Sequence, residues 1–137
     1  MALEPDVPPI SGITLRLLTR IVRRSLRRRF HSVRMQHADR FMQQSGPLIV
    51  YLNHSSWWDP MIAILLAQML MPDRNHYAPM DAEALARRPM LRKIGVFPVE
   101  LTTARGVEHF LRRSAAILRE GGVLWVAPQG RVVDPRA

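Results

Sequence analysis

The stretch PLIVYLNHSSWWDPMIAILLAQML, residues 47–70, joins two apolar runs through a short polar turn. The first run, residues 47–53, is almost continuously apolar, which is typical of a strand buried on both faces in a parallel sheet. Pro60 suits the first turn of a helix, and the second run has helical length and stops at Pro72. The stretch therefore predicts a strand, a turn and a helix, the unit from which parallel α/β sheets are built.

The alternation of strand and helix patterns continues along the chain. Further strand patterns lie at residues 31–36, 76–80, 95–101 and 123–128. Helical patterns lie at residues 81–88 and 103–120, the first with Asp81 as a cap and the second with Gly121-Gly122 as a stop. Pro79 restricts the strand that contains it to an edge of the sheet or to a strand end. The predicted fold class is α/β, with a largely parallel sheet flanked by helices.

Composition limits the classes of function that the chain can have. Its 137 residues, 47% of them hydrophobic, suit one domain with a core. Cysteine is absent, so disulfides, thiolate metal sites and a cysteine nucleophile are excluded. Residues 1–12 lack a signal-peptide pattern, and the run from Met61 to Met71 is shorter than the roughly 20 residues that span a bilayer. We therefore expect neither export nor a membrane span.

The N-terminal segment is strongly basic. Seven arginines and no acidic residue lie between Arg16 and Arg29, in a chain with a formal charge of +9. On a helix, one side carries Leu15, Leu18, Val22, Leu26 and Phe30, flanked by Leu17 and Ile21, and the opposite side carries Arg16, Arg20, Arg23 and Arg27. Such a helix lies at an anionic membrane surface, or else packs its apolar stripe on the domain and leaves the arginines in water.

These observations predict a basic amphipathic membrane-association arm at residues 1–30, followed by a domain at residues 31–137. Arginines also attract nucleic acid. No groove-reading motif and no interleaved stacking aromatics accompany them, so we expect no nucleic-acid partner.

The spacing Asn-His-x4-Asp occurs twice, and strand geometry separates the two copies. In the second copy, His76 and Asp81 would stand at opposite ends of a strand, about 16 Å apart. In the first copy the strand ends near Asn53, at the carboxyl end where sites form in α/β sheets, and the turn can bring Asp59 back to His54.

An imidazole whose tautomer is fixed by a carboxylate can take a proton near neutral pH, which would make His54 and Asp59 a catalytic pair. Alternatively, Asp59 only caps the helix, or joins Ser56 in a capping box, while His54 hydrogen-bonds in a loop. The remaining histidines share no metal-binding spacing, and we interpret them as structural or exposed: His31, His37, His76 and His109. No metal site is predicted.

Three blocks in order resemble the glycerolipid acyltransferases of the lysophosphatidic acid acyltransferase type. The sequence NHSSWWD at residues 53–59 resembles the first block of that family, GVFPVE at residues 95–100 the second, and WVAPQGR at residues 125–131 the third. The similarity extends from about His31 to Arg131.

The resemblance implies transfer of a fatty acyl group from an acyl-CoA or acyl-carrier-protein thioester to a hydroxyl of a lysophospholipid, glycerolipid or related membrane lipid. It assigns His54 as general base, Asp59 as its orienting partner, and Asn53, Gly130 and Arg131 to substrate binding. It implies no cofactor besides the donor substrate, and a peripheral location on the cytoplasmic face of a membrane with anionic lipid. The alternative is a non-catalytic lipid-binding module with the same fold.

The blocks differ from the family pattern at the acceptor end. Glu100 stands where the second block has Arg. In the third block Gln129 replaces Glu, a Thr is missing, and Arg131 follows Gly130 directly. These differences leave the acceptor lipid open. The sequence also stops a few residues after the third block, so we expect a domain that is incomplete at its C-terminus, with a bare sheet edge after residues 123–128.

Overall fold

The computed structural model describes residues 7–32, 34–53 and 59–127. In chain order the elements are α1 (Gly12–Arg29), α2 (Ala38–Met42), β1 (Leu48–Tyr51), α3 (Asp59–Leu70), β2 (His76–Asp81), α4 (Ala82–Ala86), a 3-10 helix (Pro89–Ile94), β3 (Val96–Val99), α5 (Ala104–Arg119) and β4 (Val123–Val126). The predicted α/β class is confirmed.

The four strands form one parallel sheet in the order β1-β4-β2-β3. β4, the last of the described strands in chain order, therefore lies inside the sheet, where it pairs with β1 on one side and with β2 on the other. The expected bare edge after residues 123–128 is wrong, because both sides of β4 are already paired. The edges of the described sheet are β1 and β3.

Pro79 lies in β2, which is an interior strand, so its predicted confinement to an edge strand or strand end is wrong. The N–H of Ala78 donates to the carbonyl of Gly95 beside β3, 3.2 Å away. Backbone groups of successive strand residues face opposite neighbours, so Pro79 faces β4. β4 pairs with β2 only at His76 and Tyr77, before Pro79 is reached. The missing N–H therefore points to the β4 side, where no described residue pairs with Pro79.

Two strand predictions need correction. β1 was expected to be buried on both faces, but it is an edge strand and its side chains at Ile49 and Tyr51 are exposed. Residues 31–36 form no strand at the positions that the structure describes. An alternating pattern produces a strand when one of its faces is buried, and none of the described side chains here is buried.

The predicted helices are present, with sharper ends than the patterns indicate. Asp81 caps α4, which ends at Ala86, and Pro89 begins a 3-10 helix that was not expected. Thr103 caps α5, and the helix ends before Gly121, whose φ of +79° suits glycine.

Helices cover both faces of the sheet. Alternate residues of β4 point to opposite sides of the sheet. Val123 and Trp125 pack in one cluster with Ala67 of α3, whereas Leu124 packs with Ile117 of α5. α1 adds a further layer over α3, through the buried contacts of Val22, Leu26 and Leu65. Among the helices described, none is long and apolar enough to cross a bilayer.

Candidate functional site

The parallel strands bring four chain segments to one edge of the sheet. At this carboxyl edge β1 leads to Asn53, β4 to Ala127, β2 to Asp81 and β3 to Glu100. Sites in open α/β sheets form beyond the carboxyl ends of the strands. This edge is therefore the candidate site.

Strand order places the beginnings of the first and third sequence blocks side by side. Tyr51 is paired with Val126, and the N–H of Leu52 donates to the carbonyl of Val126 at 3.0 Å. Asn53, which is exposed, follows directly on one strand and Ala127 on the other. Asn53 and Ala127, which are more than 70 positions apart in the sequence, thus leave the sheet as neighbours.

The second block lies farther along the same edge. β1 and β3 are separated by β4 and β2, which makes three strand spacings, or about 14 Å. Glu100 is exposed just beyond β3. Glu100 and Asn53, where the first block begins, therefore lie far apart along this edge.

Asp59 is the first residue of α3, and Pro60 follows it in the first turn as predicted. The structure describes the backbone of Asp59, and its side chain lies outside the description. His54, Gly130 and Arg131 also lie outside the described residues. The pairing of His54 with Asp59 stays a prediction, as does the role of Gly130 and Arg131.

The second Asn-His-x4-Asp copy is structural. His76 is the first residue of β2 and Asp81 is the last, as the strand pattern predicts. Each side chain has a separate partner. Asp81 Oδ2 accepts a hydrogen bond from the N–H of Ala84 at 3.2 Å and so caps α4. His76 is engaged inside the fold, away from Asp81.

His76 joins three elements through its two ring nitrogens. The indole Nε1–H of Trp125 donates to Nδ1 at 3.0 Å, and Nε2 lies 2.8 Å from the carbonyl oxygen of Met71, the residue after α3. An indole nitrogen only donates, so Nδ1 carries no proton and Nε2–H donates to Met71. Burial lowers the pKa of His76 below its ordinary 6.5, and the charge of Arg74 lowers it further, against the hydrogen bond to Met71. The local spacing of the sequence could not reveal Trp125 as a partner, because the two residues are 49 positions apart.

The turn that carries Glu100 is fixed by close backbone packing. The N–H of Gly106 donates to Thr103 Oγ1 at 3.0 Å, in the first turn of α5. A Cβ at Gly106 would overlap the carbonyl group of Glu100. Gly106 therefore sets how closely α5 approaches the second block, a role that sequence reasoning missed.

The opposite edge of the sheet has a polar depression beside Arg74. The Arg74 guanidinium is already hydrogen-bonded to the carbonyls of Gln44, Gly46 and Gly121. It holds together the segment before β1 and the turn before β4, which is a structural role. Within the ranges that the structure describes, no three His, Asp or Glu side chains converge as metal ligands would.

The fold is an α/β domain with a candidate site at the carboxyl edge of a parallel sheet. A family described as Acyltransferase matches residues 32–137, most of the chain, so the chain belongs to this acyltransferase family. The resemblance to the glycerolipid acyltransferase type is thereby confirmed, and the class of activity is acyl transfer. No curated protein and no solved structure matches the chain significantly.

Proposed function

We propose that this chain transfers a fatty acyl group from an acyl-CoA or acyl-carrier-protein thioester to a hydroxyl of a lysophospholipid, glycerolipid or related membrane lipid. In this proposal His54 is the general base and Asp59 orients it. Asn53, Gly130 and Arg131 contribute to substrate binding. The protein acts peripherally, at the cytoplasmic face of a membrane that contains anionic lipid.

The observation that carries the proposal is the pairing of β1 with β4. It brings Asn53, the start of the first block, beside Ala127 in the third block. Together with the family match, this supports a common site built from residues that the sequence separates widely. The helix that starts at Asp59 also supports a common site, since only five residues connect it to Asn53.

The chemistry needs one base and no covalent enzyme intermediate. The acceptor hydroxyl gives its proton to the neutral imidazole of His54 while its oxygen forms a bond to the thioester carbonyl carbon. The tetrahedral intermediate then collapses with cleavage of the C–S bond, and the imidazolium returns the proton to the leaving thiolate. The products are an ester and a free thiol. A carboxylate at Asp59 stabilises the imidazolium and fixes its tautomer.

The acceptor end of the site differs in charge from the family pattern. Glu100 places a carboxylate about 14 Å from the first block, where family members have a cation. A carboxylate disfavours an anionic group at that position. The proposed acceptor therefore carries its hydroxyl near Asn53 and an uncharged or cationic portion of its headgroup near Glu100.

Replacement of the base tests this function directly. With palmitoyl-CoA as donor and a panel of lysophospholipid and glycerolipid acceptors in vesicles, the unmutated chain is expected to release free thiol and form ester. His54→Ala should lower the rate by about 10²–10⁴-fold, since a positioned base contributes that much. Asp59→Asn should lower it as well, because the imidazolium loses its partner. Thiol release and mass spectrometry of the lipid product measure the rate.

The matched control is His31→Ala, which removes an exposed histidine outside the candidate site and should leave the rate unchanged. Equal rates for His54→Ala and the unmutated chain would refute the role of His54. Lipid binding without transfer to any acceptor in the panel would instead favour the non-catalytic lipid-binding module.

A further inference from the structure

Helix α1 has two apolar faces, and the fold uses one of them. Val22 and Leu26 are buried against Leu65 of α3, and Leu18, Met61 and Ile62 pack around them. This is the stripe that the sequence pattern identified. It meets α3, so any contact of α1 with a partner outside the domain requires a different set of side chains.

A second apolar stripe on α1 faces solvent. Ile13, Leu17 and Ile21 follow one another at four-residue spacing and are 83%, 59% and 53% exposed. At 100° per residue, Leu17 lies about 140° around the helix from the buried Val22. The outer stripe is therefore on the far side of the helix from α3.

Exposed arginines border and extend this stripe. Arg16 and Arg20 lie beside it, and Arg24 and Arg28 continue its line in the following turns. The helix carries no acidic side chain. The outer face of α1 is thus apolar in its first half and cationic in its second half.

We propose that the outer face of α1 docks on an anionic lipid surface. Ile13, Leu17 and Ile21 enter the boundary between headgroups and acyl chains, and the arginines contact lipid phosphates. A lipid surface suits both properties of the face, because it offers an apolar layer directly beneath a layer of negative charge. Duplex nucleic acid would match the arginines but would leave the three aliphatic side chains in water.

The packing of α1 relates this face to the candidate site. Met61 and Ile62, which contact α1, lie two and three residues after Asp59, the start of α3. A docked α1 therefore holds the first turns of α3, and with them the carboxyl edge of the sheet, close to the lipid. This consequence rests on the proposed function, whereas the docking itself does not.

The test compares two triple variants of the full chain on vesicles. The outer-face variant carries Ile13→Ala, Leu17→Ala and Ile21→Ala. Alanine is a good helix former, so these changes should preserve α1. Its matched control carries Met69→Ala, Met90→Ala and Leu111→Ala, at positions exposed to 59%, 59% and 60% elsewhere in the fold. Cosedimentation with vesicles of phosphatidylcholine plus 30% phosphatidylglycerol should be at least tenfold weaker for the outer-face variant and unchanged for the control.

A charge variant probes the other half of the face without altering its apolar side chains. Arg20→Gln, Arg24→Gln and Arg28→Gln should weaken binding to the anionic vesicles and reduce its dependence on salt. The unmutated chain should bind phosphatidylcholine vesicles much more weakly than anionic ones. Circular dichroism and the urea midpoint check that each variant keeps the fold.

Three outcomes would overturn the proposal. These are unaltered vesicle binding by the outer-face variant, equal binding of the unmutated chain to neutral and anionic vesicles, and tighter binding to duplex DNA than to anionic vesicles at the same salt. Binding is measured without a thioester donor, so it does not depend on turnover. A chain that docks but transfers no acyl group would refute the proposed function and leave the docking face intact.

Discussion

At the scale of single residues, His76 shows how one imidazole can be fixed in a single protonation state. Its Nδ1 accepts from Trp125 and its Nε2–H donates to the Met71 carbonyl. A proton on Nδ1 would set two N–H groups against each other. The lowered pKa agrees with this geometry, since burial disfavours the imidazolium. His76 is therefore a neutral connector between α3, β2 and β4.

This arrangement predicts a pH dependence of stability. In the unfolded chain the His76 pKa returns to about 6.5. Below that pH the unfolded chain binds a proton that the folded chain excludes, so the free energy of unfolding falls as the pH drops below 6.5. Above pH 6.5 the contribution of the neutral His76 to stability is fully present. Urea midpoints of the unmutated chain should therefore decrease from pH 7.5 to pH 5.5. His76→Gln should be less stable at pH 7.5, by about 1–2 kcal/mol for its altered hydrogen bonds, and its midpoint should change less over this range.

The matched control for this prediction is His109→Gln, which changes an exposed histidine of α5. It should keep the pH dependence of the unmutated chain. An unaltered slope in His76→Gln would show that other groups cause the dependence.

At the scale of elements, the approach of α5 to the end of β3 depends on Gly106. Ala is normally favoured over Gly inside a helix by up to about 1 kcal/mol. At Gly106 the added Cβ would meet the backbone carbonyl of Glu100, which cannot rotate away as a side chain can. Gly106→Ala should therefore lower the free energy of unfolding by about 1–3 kcal/mol, despite the helix preference. Urea denaturation measures the change.

Gly12→Ala supplies the matched control, in the first turn of α1, where a Cβ would meet nothing within 4 Å. It should be neutral or slightly stabilising. A Gly106→Ala protein as stable as the Gly12→Ala protein would contradict the close packing of α5 on Glu100.

Local sequence patterns predicted where the helices and strands lie better than they predicted what packs against them. The 3.6-residue period identified α5, the length of an apolar run between two prolines identified α3, and apolar runs identified β1 and β4, because these signals depend on neighbouring residues. The strand pattern at residues 31–36 produced no strand at the described positions, because none of the side chains described there is buried. The sequence pattern indicated one apolar stripe on α1, and it did not separate the exposed stripe of Ile13, Leu17 and Ile21 from it. Only the presence of Met61, Ile62 and Leu65 on α3 decides that the stripe through Val22 and Leu26 is the one that packs.

At the scale of the whole molecule, strand order is the property that local signals do not contain. β4 inserts between β1 and β2, and this depends on pairings such as Val50 with Trp125 between distant parts of the chain. Strand pairing also explains why an interior strand tolerates Pro79, since the pairing of β4 with β2 ends before it. The candidate site was therefore predictable as three blocks, whereas the adjacency of the first and third blocks required the fold. The positions of His54, Gly130 and Arg131 remain predictions.

The division into an arm at residues 1–30 and a domain at residues 31–137 also remains a prediction, and the packing of α1 on α3 suggests how to test it. A chain that begins at His31 would expose the side chains of Met61, Ile62 and Leu65 that α1 covers. Loss of the buried Val22 and Leu26 should lower the free energy of unfolding by several kcal/mol, since single large-to-small core changes already cost about 2–5 kcal/mol. Leu17→Ala, on the outer face, should leave the urea midpoint unchanged. A truncated chain with the midpoint of the full chain would show that α1 is an independent arm, whereas a lower midpoint with increased binding of a hydrophobic dye would make α1 part of the domain.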